Sequence, residues 1–281
     1  AKGKDKAKHV VFIGLDGWGA YSLPKADMPN VKKLMEDGSY TLKKRSALPS
    51  SSAINWASMF MGAGPELHGY TEWGSKTPEL PSRVLNKNGI FPTVFQLLRD
   101  ARPEAEIGCL YEWEGIKYLV DTLSLNYHYH VADCNKTPKE LGNMASAYIK
   151  EKHPALVAIC YDGPDHTGHT EGHDTPAYYE KLKELDIYVG QIVQAVKDAG
   201  ILDDTIFILT SDHGGIDKGH GGKTMQEMET AFIISGKNIK KGLRFDDVSM
   251  MQYDVASTIA SIFNLEQPQV WIGRPMKIVF K

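Results

Sequence analysis

The chain has 281 residues, 42% hydrophobic and 24% charged, with a formal net charge of -3. That length can bury a large core, the composition excludes a disordered chain, and the charge offers no basic field to a nucleic-acid polymer. No apolar run reaches the roughly 18–20 residues that cross a bilayer, so no membrane span is expected.

Residues 1–8 are polar and Lys-rich, which predicts a frayed arm. The chain opens on Ala1 rather than Met, which fits a removed secretory leader and an extracytoplasmic protein, or simply a chosen boundary. HVVFIGL (9–15) is a short β-branched run that reads as a buried parallel strand. Residues 28–38 have helical apolar spacing and a Gly stop, and 39–48 follow as a strand. PSSS (49–52) leads into NWASMFMGAG, a helix, so Ser52 falls at a loop-to-helix junction. Residues 71–90 are rich in Gly, Pro, Ser and Asn and read as an excursion or lid; 112–135 is a second candidate for a cap. Helix 91–103 and strand 105–113 come next, then helix 137–152 with Thr137 as cap and Glu140 completing a capping box. Strand 155–163, helix 175–200, strand 204–210, strand 230–236 and helix 248–265 complete the chain. This alternation predicts an α/β fold: one domain over 1–281, a mostly parallel sheet with helices on both faces and a small cap.

Three of the strands run into acids and histidines. The first ends at Asp16, the one from 155 leads to Asp162, Asp165, His166 and His169, and the one from 204 leads to Asp212 and His213, with His220 beyond. Ligands of open α/β sheets bind at the carboxyl ends of strands, so these loops can meet on one rim. Taken singly, Asp-Gly is a common turn and a serine beside a helix start is a common cap. Taken together, Asp and His in this number suit a pair of Zn²⁺ or Mn²⁺ ions, and the His content favours zinc. Ser52 at a helix N-terminus sits where a phosphoryl oxygen is well received. Cys109, Cys134 and Cys160 are few and lack CxxC spacing; Cys109 and Cys160 lie in apolar runs and read as core.

The blocks GLDG (14–17), LPSSSAINWASMFMGAGPELHGY (48–70), YDGPDHTGHTEG (161–172), SDHGG (211–215) and HGGKT (220–224) resemble the alkaline phosphatase superfamily. The nearest likeness is to its type I phosphodiesterase/nucleotide pyrophosphatase branch. The resemblance implies a two-metal hydrolase of phosphate esters that works through a phosphoseryl intermediate. It implies Asp16, Ser52, Asp212 and His213 around one metal, and Asp165, His169 and His220 around the other. It implies Ser52 as nucleophile and Asn55 as donor to a phosphate oxygen, acting on a small-molecule ester such as a nucleotide or other diester. His166 and His173 are neighbours that could take a ligand's place. Nucleotide-cleaving members usually have Thr where Ser52 stands and Pro where Ile54 stands. Trp56, Tyr70 and Trp73 are candidates to stack on a leaving group, with core packing the competing role for each.

Other readings are a monoesterase, a phosphoethanolamine-type transferase, and a metal-binding module on a decayed hydrolase fold. Familiar monoesterases hold the extra phosphate charge with Arg, and Arg45 is the nearest Arg to Ser52 in sequence. A sulfatase reading lacks the required context around any cysteine, and a phosphomutase of this superfamily would need a large inserted domain.

Overall fold

A computed structural model describes residues 4–132 and 137–281. Its eight strands are β1 His9–Leu15, β2 Gly38–Arg45, β3 Ile107–Tyr111, β4 Tyr127–His130, β5 Leu156–Tyr161, β6 Thr205–Thr210, β7 Glu229–Gly236 and β8 Leu243–Arg244. They form one sheet in the order β4-β3-β5-β1-β6-β7-β2-β8. The first five run parallel, and β7 is antiparallel to both β6 and β2.

The period-2 alternation of the strands explains the layering. Val10 and Phe12 of β1, Ala158 and Cys160 of β5, and Ile206 and Ile208 of β6 face one core. Val11, Ile13, Val157, Ile159, Phe207 and Leu209, the intervening residues, face the other. The first core is covered by α2 (Ser52–Met61), α4 (Val94–Ala101) and α9 (Asp254–Ile262); the second by α1 (Pro29–Asp37), α5 (Pro138–Lys152) and α7 (Pro176–Asp198). Short helices α3 (Pro65–His68), α6 (Asp165–Glu171) and α8 (Met225–Met228) lie in the connections. The expected mostly parallel, two-faced α/β sheet is the fold observed.

Several local expectations differ. Residues 127–130, read as cap, form edge strand β4 paired with β3; the segment is too polar on its exposed side to look like a buried strand. Lys6 N donates to Ile262 O at 2.8 Å and Lys8 N to Asp204 O at 3.0 Å, so the described part of the N-terminal arm is docked. Residues 1–3 of that arm, and Cys134 within the 112–135 segment, lie outside the described residues. The capping box at Thr137 does not form: its hydroxyl donates to Glu112 Oε2 at 3.0 Å. A capping box forms instead between Thr224 and Glu227 at α8. The last helix begins at Asp254, not 248, because Gln252 is drawn into a buried polar network described below. Residues 71–90 contain no helix or strand.

Candidate active site

The carboxyl ends of β1, β5 and β6 are adjacent in the sheet, and each delivers an acid to the same rim. Asp16 follows β1 directly. Its Oδ2 accepts from Trp56 Nε1 at 3.0 Å and its Oδ1 lies 3.3 Å from His213 Nε2. Trp56 reaches it because Gly14 has no side chain; a Cβ there would sit 2.4 Å from the indole. Asp212 follows β6. Gly17 N and His213 N both donate to its Oδ1, at 3.1 and 3.0 Å, which turns Oδ2 towards His213 Nε2 at 3.2 Å. Ser52, the first residue of α2, places Oγ 3.3 Å from Asp16 Oδ2 and 3.2 Å from His213 Nε2.

The segment after β5 supplies the second group. Asp165 opens α6, and one turn later His169 Nε2 lies 3.0 Å from Asp165 Oδ2; His220 Nε2 lies 3.5 Å from the same oxygen. The His213 and His220 rings stack with centroids 3.7 Å apart, which sets the two groups side by side. Asp16, Asp212 and His213 form one set of ligand atoms within 4.8 Å of one another, and Asp165, His169 and His220 form another.

These donor sets fit divalent cations on three grounds. Asp212 Oδ2 is buried with no hydrogen-bond partner. The Nδ1 atoms of His169, His213 and His220 each face a backbone carbonyl (Lys218, Gly214 and Ser50, at 2.9, 2.6 and 2.9 Å). A carbonyl only accepts, so Nδ1 carries the proton and Nε2 keeps its lone pair for a metal. Charge balance agrees: burial, then repulsion from Asp212 and Asp165, pushes the Asp16 carboxyl well above its usual range. A cation relieves that repulsion.

The rim holds a cavity of about 490 Å³, into which Ser52, Asp165, His169 and His220 face; Ser51, Trp73, Trp113, Asp162 and His166 complete much of its wall. Among the described residues, none that lines it is Arg or Lys. Of the three aromatic candidates, Trp73 alone lines this cavity: Trp56 is spent on Asp16, and Tyr70 packs in the core beside His68. Trp113 is the aromatic that sequence reasoning missed.

Asn55 does not meet its expected role. It is fully buried, its Nδ2 lies within 3.2 Å of the carbonyls of Ala47, Pro49 and Ser51, and its Oδ1 accepts from Ala47 N at 2.7 Å. It therefore clamps the loop ahead of Ser52 and has no amide proton to offer a phosphate. No serine caps α2 through its side chain: the Ser51 cap makes no such bond, and Ser50 Oγ donates to Gly222 O at 2.7 Å.

Beneath the rim lies a network that sequence reasoning missed. Lys44 of β2 is fully buried and donates to Ser211 O at 2.9 Å and to Gln252 Oε1. Gln252 Nε2 donates to Asp212 O at 2.5 Å and Asn55 Oδ1 at 3.1 Å. Burial pushes the Lys44 ammonium down to about 7, against the pull of Asp212 and Asp254. A Lys inside a strand gives no sequence signal of this role.

Glu112, after β3, is another buried acid without a sequence signal. Asp162 N donates to its Oε1 at 3.0 Å, which ties the strand ends together. Burial raises its carboxyl from 4.5 to about 7. A raised carboxyl contributes stability that is present in full below about 4.5 and lost as pH climbs through about 7. Relative to Glu112→Gln, the wild type should lose about 3 kcal/mol across that window. Urea unfolding at pH 4.5 and pH 8 measures it; parallel pH profiles would refute it.

An eight-stranded, mostly parallel sheet of this order makes the chain an alkaline-phosphatase-like α/β protein, as its structural neighbours confirm. An inactive variant of murine ectonucleotide pyrophosphatase/phosphodiesterase 5 in complex with AMP superposes with a TM-score of 0.73 at 14% identity, covering 93% of this chain and 96% of that one. A 2-O GAG sulfatase superposes with a TM-score of 0.78 at 14% identity, covering 96% and 73%. At such identities the likeness is one of fold. The chain belongs to the type I phosphodiesterase / nucleotide pyrophosphatase family, whose profile matches residues 10–236. A bis(5'-adenosyl)-triphosphatase from Mus musculus is 26% identical over 219 residues, 74% of this chain and 47% of the relative. GPI ethanolamine phosphate transferase 3 from Schizosaccharomyces pombe is 30% identical over 122 residues, 43% of this chain and 13% of the relative. The chain thus spans less than half the length of these curated relatives.

Proposed function

We propose that this chain is the catalytic unit of a two-metal phosphodiesterase that works through a phosphoseryl intermediate at Ser52. The observation that carries it is Ser52 Oγ lying within 3.5 Å of Asp16 and His213, at the mouth of a cavity bordered by a second Asp-His-His set. Two cations, which we assign as zinc on the donor chemistry, would stabilise the charge on the entering and leaving oxygens.

Ser52 Oγ is the attacking atom. Its proton faces Asp16 Oδ2 and His213 Nε2, the two acceptors in reach. The Oγ–P bond forms as the ester P–O bond to the leaving alcohol breaks. Water then cleaves the phosphoserine, returning Ser52 and a phosphate monoester. Trp73 and Trp113 flank the leaving group, and the excursion at 71–90 that carries Trp73 serves as the lid. A monoester brings one more negative charge than a diester, and among the described residues no Arg or Lys lines the cavity to meet it. The ectonucleotide relatives argue for an extracytoplasmic setting and for nucleotide-type diesters among the substrates.

Rates on bis-p-nitrophenyl phosphate, p-nitrophenyl phosphate and a nucleotide pyrophosphate, measured in parallel, test this reading. The diester should turn over at least about tenfold faster than the monoester, as fits about 1.4 kcal/mol of charge mismatch. Faster monoester turnover sinks the diesterase assignment, and bound zinc with no turnover sinks the enzyme. The likeness to ethanolamine phosphate transferases favours one second reading, in which an alcohol replaces water in the second step. An added alcohol that diverts product from free monoester to a new diester would reveal it.

A further inference from the structure

The second group of ligands contains a histidine that the metal reading does not use. His173 lies beyond the C-terminus of α6, with its side chain wholly buried. Its Nε2 is 3.1 Å from Asp165 Oδ1, the oxygen opposite the one that His169 and His220 face. Its Nδ1 is 3.0 Å from Asp217 O, and its backbone N–H also donates to that carbonyl. Both ring nitrogens thus meet oxygen acceptors. His169 and His220 also set Nδ1 on a carbonyl and Nε2 on Asp165; what sets His173 apart is that its Nε2 takes Oδ1, the carboxylate oxygen the other two leave. His173 also falls outside the set of atoms within 4.8 Å formed by Asp165, His169 and His220.

The fold makes room for this ring from two directions. A Cβ on Gly168, in α6, would come within 2.3 Å of the imidazole, and so would a Cβ on Gly215, in the loop after β6. The ring therefore sits in a slot between two backbones and bridges the segment carrying Asp165 to the segment carrying His213. Without it, Oδ1 has no hydrogen-bond donor among the described contacts, and only the Oδ2 contacts to His169 and His220 orient the carboxylate.

We propose that His173 is a positioning residue that clamps Asp165 Oδ1, so that Oδ2 stays aimed with His169 and His220 at the second cation. This rests on the two-cation reading above. The test measures cation content and affinity, not turnover, by zinc competition against a calibrated chelator, with melting of the metal-free protein as the fold check. His173→Ala should keep one zinc at wild-type affinity and bind the other about 10–100-fold more weakly, the usual effect of removing such a support. His173→Gln, whose amide can still donate to Asp165, should recover to within a few-fold. Gly215→Ala displaces the ring without removing it, should weaken the same zinc, and decides the matter if His173→Ala does not fold. Wild-type affinity for both ions in His173→Ala and Gly215→Ala overturns the proposal. So does His173→Gln losing the second ion as completely as Asp165→Ala, which would make His173 a ligand. If Asp165→Ala itself keeps both ions, the two-cation reading is wrong and the clamp falls with it.

Discussion

Replacing Ser52 by Ala should abolish diester turnover, by a factor on the order of 10⁴ or more, while leaving the bound cations in place. The separation of these two effects follows from the geometry. Among the described residues, Ser52 Oγ is the only hydroxyl that touches both Asp16 and His213, so no described neighbour can take over the attack. Asp16, Asp212 and His213 still meet one another without it. Asp16 keeps its bond from Trp56, and Asp212 keeps its two backbone donors. Zinc analysis and steady-state rates on the same preparation read both quantities. Turnover near the wild-type rate removes Ser52 from the mechanism. Loss of zinc together with activity would make Ser52 a structural ligand first and a nucleophile only by inference.

The second large effect is expected at Asp212, and its sign should depend on metal. Asp16 and Asp212 are both buried, and burial first, then repulsion from Asp212 and Asp165, holds the Asp16 carboxyl well above the usual carboxylate range. Asp212→Asn removes one of the two charges. Its remaining carbonyl can still accept from Gly17 N and His213 N. In chelator, the variant should therefore melt at or above the wild type. With zinc present the order reverses, because binding stabilises the native state by RT ln(1 + [L]/Kd) and the variant has lost a charged ligand. Activity should fall by roughly 10³ or more, the scale set by losing one strong electrostatic stabiliser of the transition state. Paired melting curves with chelator and with zinc measure this. A variant less stable than wild type in chelator, yet equally stabilised by zinc, would show that Asp212 is a structural acid and not a ligand.

The degree to which the site was legible differs residue by residue. Asp16, Asp165, Asp212 and their histidines stand at the ends of buried strands, and strand ends can be read from where an apolar run gives way to polar residues and Gly. Their convergence follows from the sheet being parallel there, since all such strands end at one edge. The direction of each polar side chain is another matter. Asn55 was expected to face a phosphate and faces three carbonyls of its own loop. Trp56 was a candidate for the leaving group and holds Asp16 instead. Lys44 and Gln252 meet 208 residues apart in sequence, and no local pattern announces such a pair.

From the sequence alone came six of the eight strands, the two-faced sheet, and the acids and histidines at the strand ends, because period-2 apolarity and abrupt polar ends are local properties of the chain. The tertiary structure alone decided that Tyr127–His130 is an edge strand, that Asn55 is a clamp, and that His173 grips Asp165. A hydrogen bond needs a partner at about 3 Å and the right angle, and where that partner comes from another loop only the packed sheet supplies it.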